Sequence, residues 1–232
     1  LFNPIINTFP PLASTWDAQE QKLRLQQLML EGTKVSLLLS FPVTTLLFFT
    51  GKSLISLWVG KAYLSSFSVL TVFLLIFVVS NMESTASQIQ LGMRKLRFHT
   101  MVSIFSALAN FLLSITLIHY YGIIGVALGT LVPCLISNLL FSIPYTCYII
   151  KLPLRKFIRH SVYPAFISLI SPSLAVYLTN LYWKPATDLV GVIVISTIFI
   201  GLYGLTYFLF FSSPEERLRL RLRLRSRVRG EK

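Results

Sequence analysis

Five stretches of this chain carry no Asp, Glu, Lys or Arg, and they limit what it can fold into more than any other feature. They cover residues 35–51, 62–82, 98–150, 160–183 and 189–214. The third stretch is long enough for two crossings of a bilayer, because one spanning helix needs about 20 residues. We therefore predict an all-α integral membrane protein with about six full transmembrane helices, plus the end of another.

The positive charges are divided unevenly between the segments that connect these spans. When the segments are assigned alternately to the two sides, one side holds only Lys52, Lys61 and Lys184 of the 21 Lys and Arg residues. The others lie in residues 14–34, 93–99, 151–160 and 212–232. Lys and Arg are enriched on the cytoplasmic side of membrane proteins. The pattern predicts a multi-pass protein with a cytoplasmic C-terminus.

The net charge of +13 calls for an anionic partner. Because the positive charges adjoin apolar spans, we expect that partner to be anionic membrane lipid rather than nucleic acid. The C-terminal arginines alternate with apolar residues and lack interleaved aromatics that could stack on bases. We assign them to binding of the lipid surface, with a disordered tail as the alternative. These residues are Arg217, Arg219, Arg221, Arg223, Arg225, Arg227 and Arg229.

The N-terminal residues divide into an apolar and a polar part. The chain opens on LFNPIINTFPPLAS, which we interpret as the end of a span, so the sequence is expected to be the C-terminal part of a longer protein. Asp17, with Glu20 three residues later, resembles a capping box and predicts a helix start. The predicted divisions are 1–14 (the end of a transmembrane helix), 15–34 (a cytoplasmic amphipathic linker helix), 35–150 (four spans), 151–211 (two further spans) and 212–232 (a basic cytoplasmic tail).

The second span ends in an unusually polar half-helix, SNMESTASQIQ at residues 80–90. Its apolar residues Met82, Ala86 and Ile89 form one narrow stripe on a helix. Glu83 either lines a cavity, as intramembrane carboxylates often do, or emerges into the cytoplasm. A polar residue in the third or fourth span, such as Asn110 or Asn138, either faces the same cavity or makes one interhelical hydrogen bond. The candidate cavity residues are Asn81, Glu83, Ser84, Gln88, Gln90 and Asn110.

Other motifs predict packing and no catalysis. Gly122, Gly125 and Gly129 have the spacing that lets helices approach closely. Cys134 and Cys147 lie in or near one span, and the three histidines lie at separate span ends. The chain shows no nucleophile elbow, no phosphate-binding glycine loop and no metal-ligand spacing, so we predict a protein that is not an enzyme, with no catalytic residue, metal or cofactor.

Four ordered motifs carry a family resemblance: PPLAS (10–14), LWVGKAY (57–63), QLGMRK (90–95) and YGIIGVALGT (121–130). In this order, residues 1–150 resemble the C-terminal half of the O-antigen-unit (Wzx-type) flippases. These polysaccharide-biosynthesis membrane proteins belong to the multidrug/oligosaccharidyl-lipid/polysaccharide exporter superfamily. The resemblance implies most of the C-terminal lobe of a two-lobed transporter in the cytoplasmic (inner) membrane.

The resemblance also implies a substrate and partners. The substrate would be a lipid-linked oligosaccharide on a polyprenyl phosphate, moved by alternating access, with a polysaccharide polymerase or ligase as candidate protein partners. Three alternatives stay open: another exporter of the superfamily, such as a drug/cation antiporter or a flippase for another lipid-linked precursor; a membrane-embedded enzyme of glycan assembly; and a non-catalytic scaffold. The enzyme would be expected to have a larger outside loop than this sequence shows.

Overall fold

A computed structural model of the protein describes residues 9–183 and 189–210. These residues are almost entirely helical, and they contain no β-strand. The helices are α1 (Phe9–Ala18), α2 (Lys22–Trp58), α3 (Ser66–Gly92), α4 (Leu96–Tyr121), α5 (Ile123–Ile149), α6 (Leu154–Phe157, Ile158–Val162 and Tyr163–Trp183, which follow without a break) and α7 (Leu189–Phe210).

Five of these helices are long and apolar enough to cross a membrane. They are α2, α3, α4, α5 and the Leu154–Leu178 part of α6. The all-α membrane architecture expected from the sequence is therefore confirmed at this level. The sixth predicted span is present as α7, but its apolar stretch among the described residues, Gly191–Thr206, is shorter than the other five.

The long helix α2 is the centre of the described bundle. It packs against α3, α6 and α7, and α3 also contacts α1 and α5. The largest apolar cluster joins five helices at one end of the bundle through residues that include Met29, Ile89 and Phe157. Ala86 and Ile89 are fully buried in it and Met82 packs against it, so the apolar stripe of the polar half-helix is the face that α3 presents to the core.

The prediction of a helix start at Asp17 is wrong. Asp17 lies in the last turn of α1, Glu20 lies between two helices with a φ of 53°, and α2 begins at Lys22. The Gln21 N–H donates to the Trp16 carbonyl at 2.8 Å. Asp17 and Glu20 therefore lie at the end of one helix and do not start the next. The polar segment that starts α2 then continues without a break into the first span. Of the predicted 1–14 span end, residues 1–8 lie outside the described part, as do the 212–232 tail and its arginines.

The α4–α5 hairpin turns on a single glycine and is held closed by two others. Gly122 lies between the helices with a φ of 60°, a conformation that glycine adopts without strain. A Cβ atom on Gly125 would lie 2.1 Å from the carbonyl oxygen of Leu117, and one on Gly129 would lie 2.7 Å from the Ser114 nitrogen. The predicted close approach is confirmed at Gly125 and Gly129, whereas Gly122 serves the turn.

Two π-helical turns interrupt α5 and α6. They span Ile136–Ser142 and Ile158–Val162, and a proline, Pro144 or Pro164, follows each turn two residues later. A proline has no N–H, and its ring crowds the carbonyl four residues earlier, which falls inside each wide turn. The wider turn accommodates that carbonyl. Such turns are frequent at functional sites, and the one in α5 lies beside the cavity described next.

Candidate functional site: a polar chamber between three helices

A polar chamber of about 420 Å³ opens between α3, α4 and α5. It exists because α4 packs closely along α5 but shares few contacts with α3. Its lining side chains recur about once per turn along each helix, so each helix contributes one stripe. The lining residues are Ile76, Ser80 and Glu83 from α3; His99, Val102, Ser103, Ser106, Ala107 and Asn110 from α4; and Thr130, Cys134, Ser137, Asn138 and Ser142 from α5.

Glu83 is the acidic group of the chamber. Its side chain is 12% exposed, and its carboxylate accepts a hydrogen bond of 2.6 Å from the Ser142 hydroxyl. The Nδ1 atom of His99, on α4, lies 4.0 Å from the same carboxylate oxygen. No Lys or Arg of the described residues lines the chamber. Glu83 is therefore held inside the bundle by a hydroxyl and lies near an imidazole ring, with no lysine or arginine of the described residues beside it in the chamber.

Hydroxyl and amide groups make a second cluster deeper along the chamber. The Asn110 side-chain oxygen accepts hydrogen bonds from the hydroxyls of Ser114 at 2.9 Å and Thr130 at 3.3 Å. The Ser106 and Ser137 hydroxyls meet at 3.4 Å across α4 and α5. These groups can rotate to donate or accept, so the wall can exchange hydrogen bonds with water or with a polyhydroxylated ligand.

Two of the six predicted cavity residues, Glu83 and Asn110, line this chamber. Asn81 donates to the Phe77 carbonyl of its own helix, and Ser84 donates to the Asn81 carbonyl. Asn81, Ser84, Gln88 and Gln90 are not among the residues that line the chamber. Some polar side chains of the half-helix therefore line the chamber, whereas the others lie on different faces of α3.

Gln90 joins α3 to α5 and is fully buried. Its amide nitrogen donates to Thr146 Oγ1 at 2.7 Å and contacts the Ser142 carbonyl and hydroxyl oxygens at 3.2 Å. Its amide oxygen has no hydrogen-bond partner among the described residues. The arrangement is that of a structural cross-link between helices.

Replacing Gln90 with Leu is expected to lower the free energy of unfolding by about 1 kcal/mol, because hydrogen bonds between membrane helices are each worth roughly that much. Unfolding of the detergent-solubilised protein would measure it. The matched control is Gln88→Leu, since Gln88 is half-buried and has no side-chain partner among the described residues. Equal stability of the two variants would contradict the structural role of Gln90.

Most of the α4 and α5 stripes are not predicted from the sequence. His99 is expected only at a span end, and Asn138, whose cavity position is one of two alternatives, is absent from the candidate cavity residues, yet both line the chamber. A signal was available: His99, Ser103, Ser106 and Asn110 are separated by four, three and four residues, which is one face of a helix. Thr130, Cys134, Ser137 and Ser142 follow a similar course along α5.

Comparison of the chain with protein-family models, curated proteins and solved structures gives no match. The function of the protein must therefore be inferred from the chamber and from the motifs of the sequence.

Proposed function

We propose that this chain forms part of a flippase that moves lipid-linked oligosaccharide units across the cytoplasmic membrane by alternating access. The observation that carries the proposal is a chamber lined by a carboxylate, hydroxyls and amides inside a bundle of apolar membrane helices. Polar groups inside a membrane protein are costly and usually mark a pathway for a polar substrate or ion.

The chemistry of the chamber suits the sugar part of such a substrate. Sugars present many hydroxyls, and serine, threonine and asparagine side chains can both donate to them and accept from them. A phosphate is a poorer match, because no Lys or Arg of the described residues lines the chamber. The phosphate of the carrier lipid would then be bound by another part of the full-length transporter.

The motifs that carry the family resemblance also have structural roles. PPLAS and QLGMRK meet directly, since a Cβ atom on Gly92 would lie 2.6 Å from both the Pro10 carbonyl oxygen and the Ala13 Cβ atom. Gly60 of LWVGKAY has a φ of 111° in the α2–α3 connection. YGIIGVALGT supplies the closely packed turn of the α4–α5 hairpin. Each of these motifs therefore has a packing or turn role in this chain.

Glu83 is the residue that we expect to couple transport to an ion. Replacing Glu83 with Gln in the full-length protein keeps the side-chain size but removes the charge. We expect roughly tenfold less surface polysaccharide per transporter, within the range typical of coupling between sites. The measurement is polysaccharide at the surface of cells that lack the native gene, normalised to the amount of variant in the membrane.

Glu31→Gln is the control for this experiment. Glu31 is an exposed residue near the start of α2, 3.9 Å from Lys34 and outside the chamber. It should leave the polysaccharide level unchanged. A normal polysaccharide level with Glu83→Gln, and with Asn110→Ala as a second chamber variant, would sink the transport proposal.

A further inference from the structure

A second, separate cleft of about 610 Å³ lies where two basic connections meet at one end of the bundle. Lys95 from the α3–α4 connection and Lys151 from the α5–α6 connection contribute its charges. Its other lining residues are Tyr145, Cys147, Tyr148, Ile149, Leu152 and Pro153. None of these residues lines the polar chamber, so the cleft is a different site.

The walls of the cleft are held in place by contacts outside it. The Tyr145 ring stacks on Phe98 of α4 with 3.9 Å between the ring centroids. The Gln26 amide of α2 donates to the carbonyls of Ile150 and Lys151, at 3.0 Å each. Three helices therefore fix the shape of the cleft before any ligand binds, which lowers the entropic cost of binding.

The backbone at both lysines is also fixed. Lys151 has a φ of 56°, and the adjoining Leu152 N–H donates to the Cys147 carbonyl at 2.8 Å. On the other side, Arg94 has a φ of 56°, and the Lys95 N–H donates to the Gln90 carbonyl at 3.0 Å. Both helix ends thus close with a residue in the left-handed region, and each closure places one lysine at the cleft.

The charge of the cleft selects an anion. Its lining contains two ammonium groups, two phenol rings and no carboxylate among the described residues. Lysine is a common ligand of phosphate, which it binds as a point charge. The cleft also adjoins the ends of apolar spans, and Tyr148 is 82% exposed there, as is typical of aromatic residues at the boundary between lipid and water.

We propose that this cleft binds the phosphate of an anionic lipid headgroup, with Lys95 and Lys151 as its two cationic ligands. Basic pockets between membrane helices on the cytoplasmic side are suited to such headgroups, and the charge distribution assigns this end to that side. The lipid source is favoured over a soluble phosphate because apolar residues at the end of α5, such as Cys147 and Ile149, line the cleft together with the two lysines. This site does not depend on the proposed transport function.

The test measures lipids retained by the purified full-length protein, by native mass spectrometry after incubation with phosphatidylglycerol or phosphatidylcholine. The wild type should retain phosphatidylglycerol in preference to phosphatidylcholine. The double variant Lys95→Gln/Lys151→Gln should bind phosphatidylglycerol about 25-fold more weakly, since each surface cation contributes a factor of about five. Lys95→Arg/Lys151→Arg should restore the binding.

The matched control is Lys52→Gln/Lys61→Gln. It removes two positive charges from the other end of the bundle, where Lys52 lies over the Phe67 ring at 5.2 Å. It should bind phosphatidylglycerol as the wild type does. An equal loss of phosphatidylglycerol binding in both double variants would show that binding depends on net charge alone, and would overturn the site. Unchanged binding by the Lys95/Lys151 variant would overturn it as well, and so would displacement of the lipid by millimolar inorganic phosphate, which would identify a soluble ligand.

Discussion

Gly125→Ala is expected to destabilise the protein by about 3 kcal/mol or more, a large effect for the addition of one methyl group. The new Cβ atom would lie 2.1 Å from the Leu117 carbonyl oxygen and 2.5 Å from its carbonyl carbon. Both are backbone atoms of α4, so no side-chain rotation can relieve the clash. The hairpin can accept the methyl group only by separating α4 from α5, which opens one wall of the chamber.

The same substitution at Gly201 provides a close control. Gly201 also lies inside a helix, α7, but a Cβ atom there would meet no atom of the described residues within 4 Å. In a helix with free space, Ala is more favourable than Gly by up to about 1 kcal/mol. Gly201→Ala should therefore leave stability unchanged or raise it. Thermal unfolding of the two variants in the same detergent compares them, and similar midpoints would contradict the close packing of α4 on α5.

The spans could be predicted from the sequence because the bilayer constrains them directly. A helix in hydrocarbon must be about 20 residues long and nearly free of charge, and the charge-free stretches have those lengths. The glycines at 125 and 129 could be predicted for a related reason, since membrane helices approach closely only at small residues. Both inferences need only local sequence.

The chamber could be predicted only in part, because the choice of partner for a polar side chain is a tertiary matter. Asn81 and Ser84 bond to the backbone of their own helix, which local sequence permits but does not require. Gln90 turns towards α5 instead. Glu83 could be singled out from its charge alone, whereas Ser106 and Ser137 become significant only because α4 lies beside α5.

The helix boundaries near the N-terminus show a different limit of prediction from the sequence. Asp17 and Glu20 have the spacing of a capping box, but the helix of residues 9–18 already includes Asp17. A capping pattern identifies a helix start only where the preceding residues leave the helix. Here the left-handed conformation of Glu20 ends one turn, and the next helix begins at Lys22 without a side-chain cap from the described residues.

Cys134 is a native thiol that can be used to probe the chamber. It lines the chamber beside Ser80, 3.8 Å away, and Asn138, 3.4 Å away. Cys147 also lines the basic cleft between Lys95 and Lys151, but its side chain is almost fully buried in the apolar cluster with Met29 and Phe157. A charged, water-soluble methanethiosulfonate reacts with the thiolate, so it should modify Cys134 and spare Cys147. We expect Cys147 to react about 100-fold more slowly, because its exposure needs a local opening that costs roughly 3 kcal/mol.

Two single-cysteine proteins separate the thiols: Cys147→Ala retains Cys134, and Cys134→Ala retains Cys147. A third, Leu112→Cys in a background without either native cysteine, places a thiol on the exposed outer face of α4. That face is expected to contact lipid, where a charged reagent does not enter. The cysteine at position 112 tests whether a side chain on the outer surface of the bundle reacts even where lipid is expected to cover it.

The most direct test of the central claim is the rate at which this charged reagent modifies Cys134 in the protein reconstituted into a bilayer. A polar, water-accessible chamber between α3, α4 and α5 predicts that Cys134 reacts far faster than either Cys147 or the cysteine at position 112. A Cys134 rate no greater than those two would mean that water does not enter between these helices, and would contradict the assignment of the chamber as a site for a polar substrate.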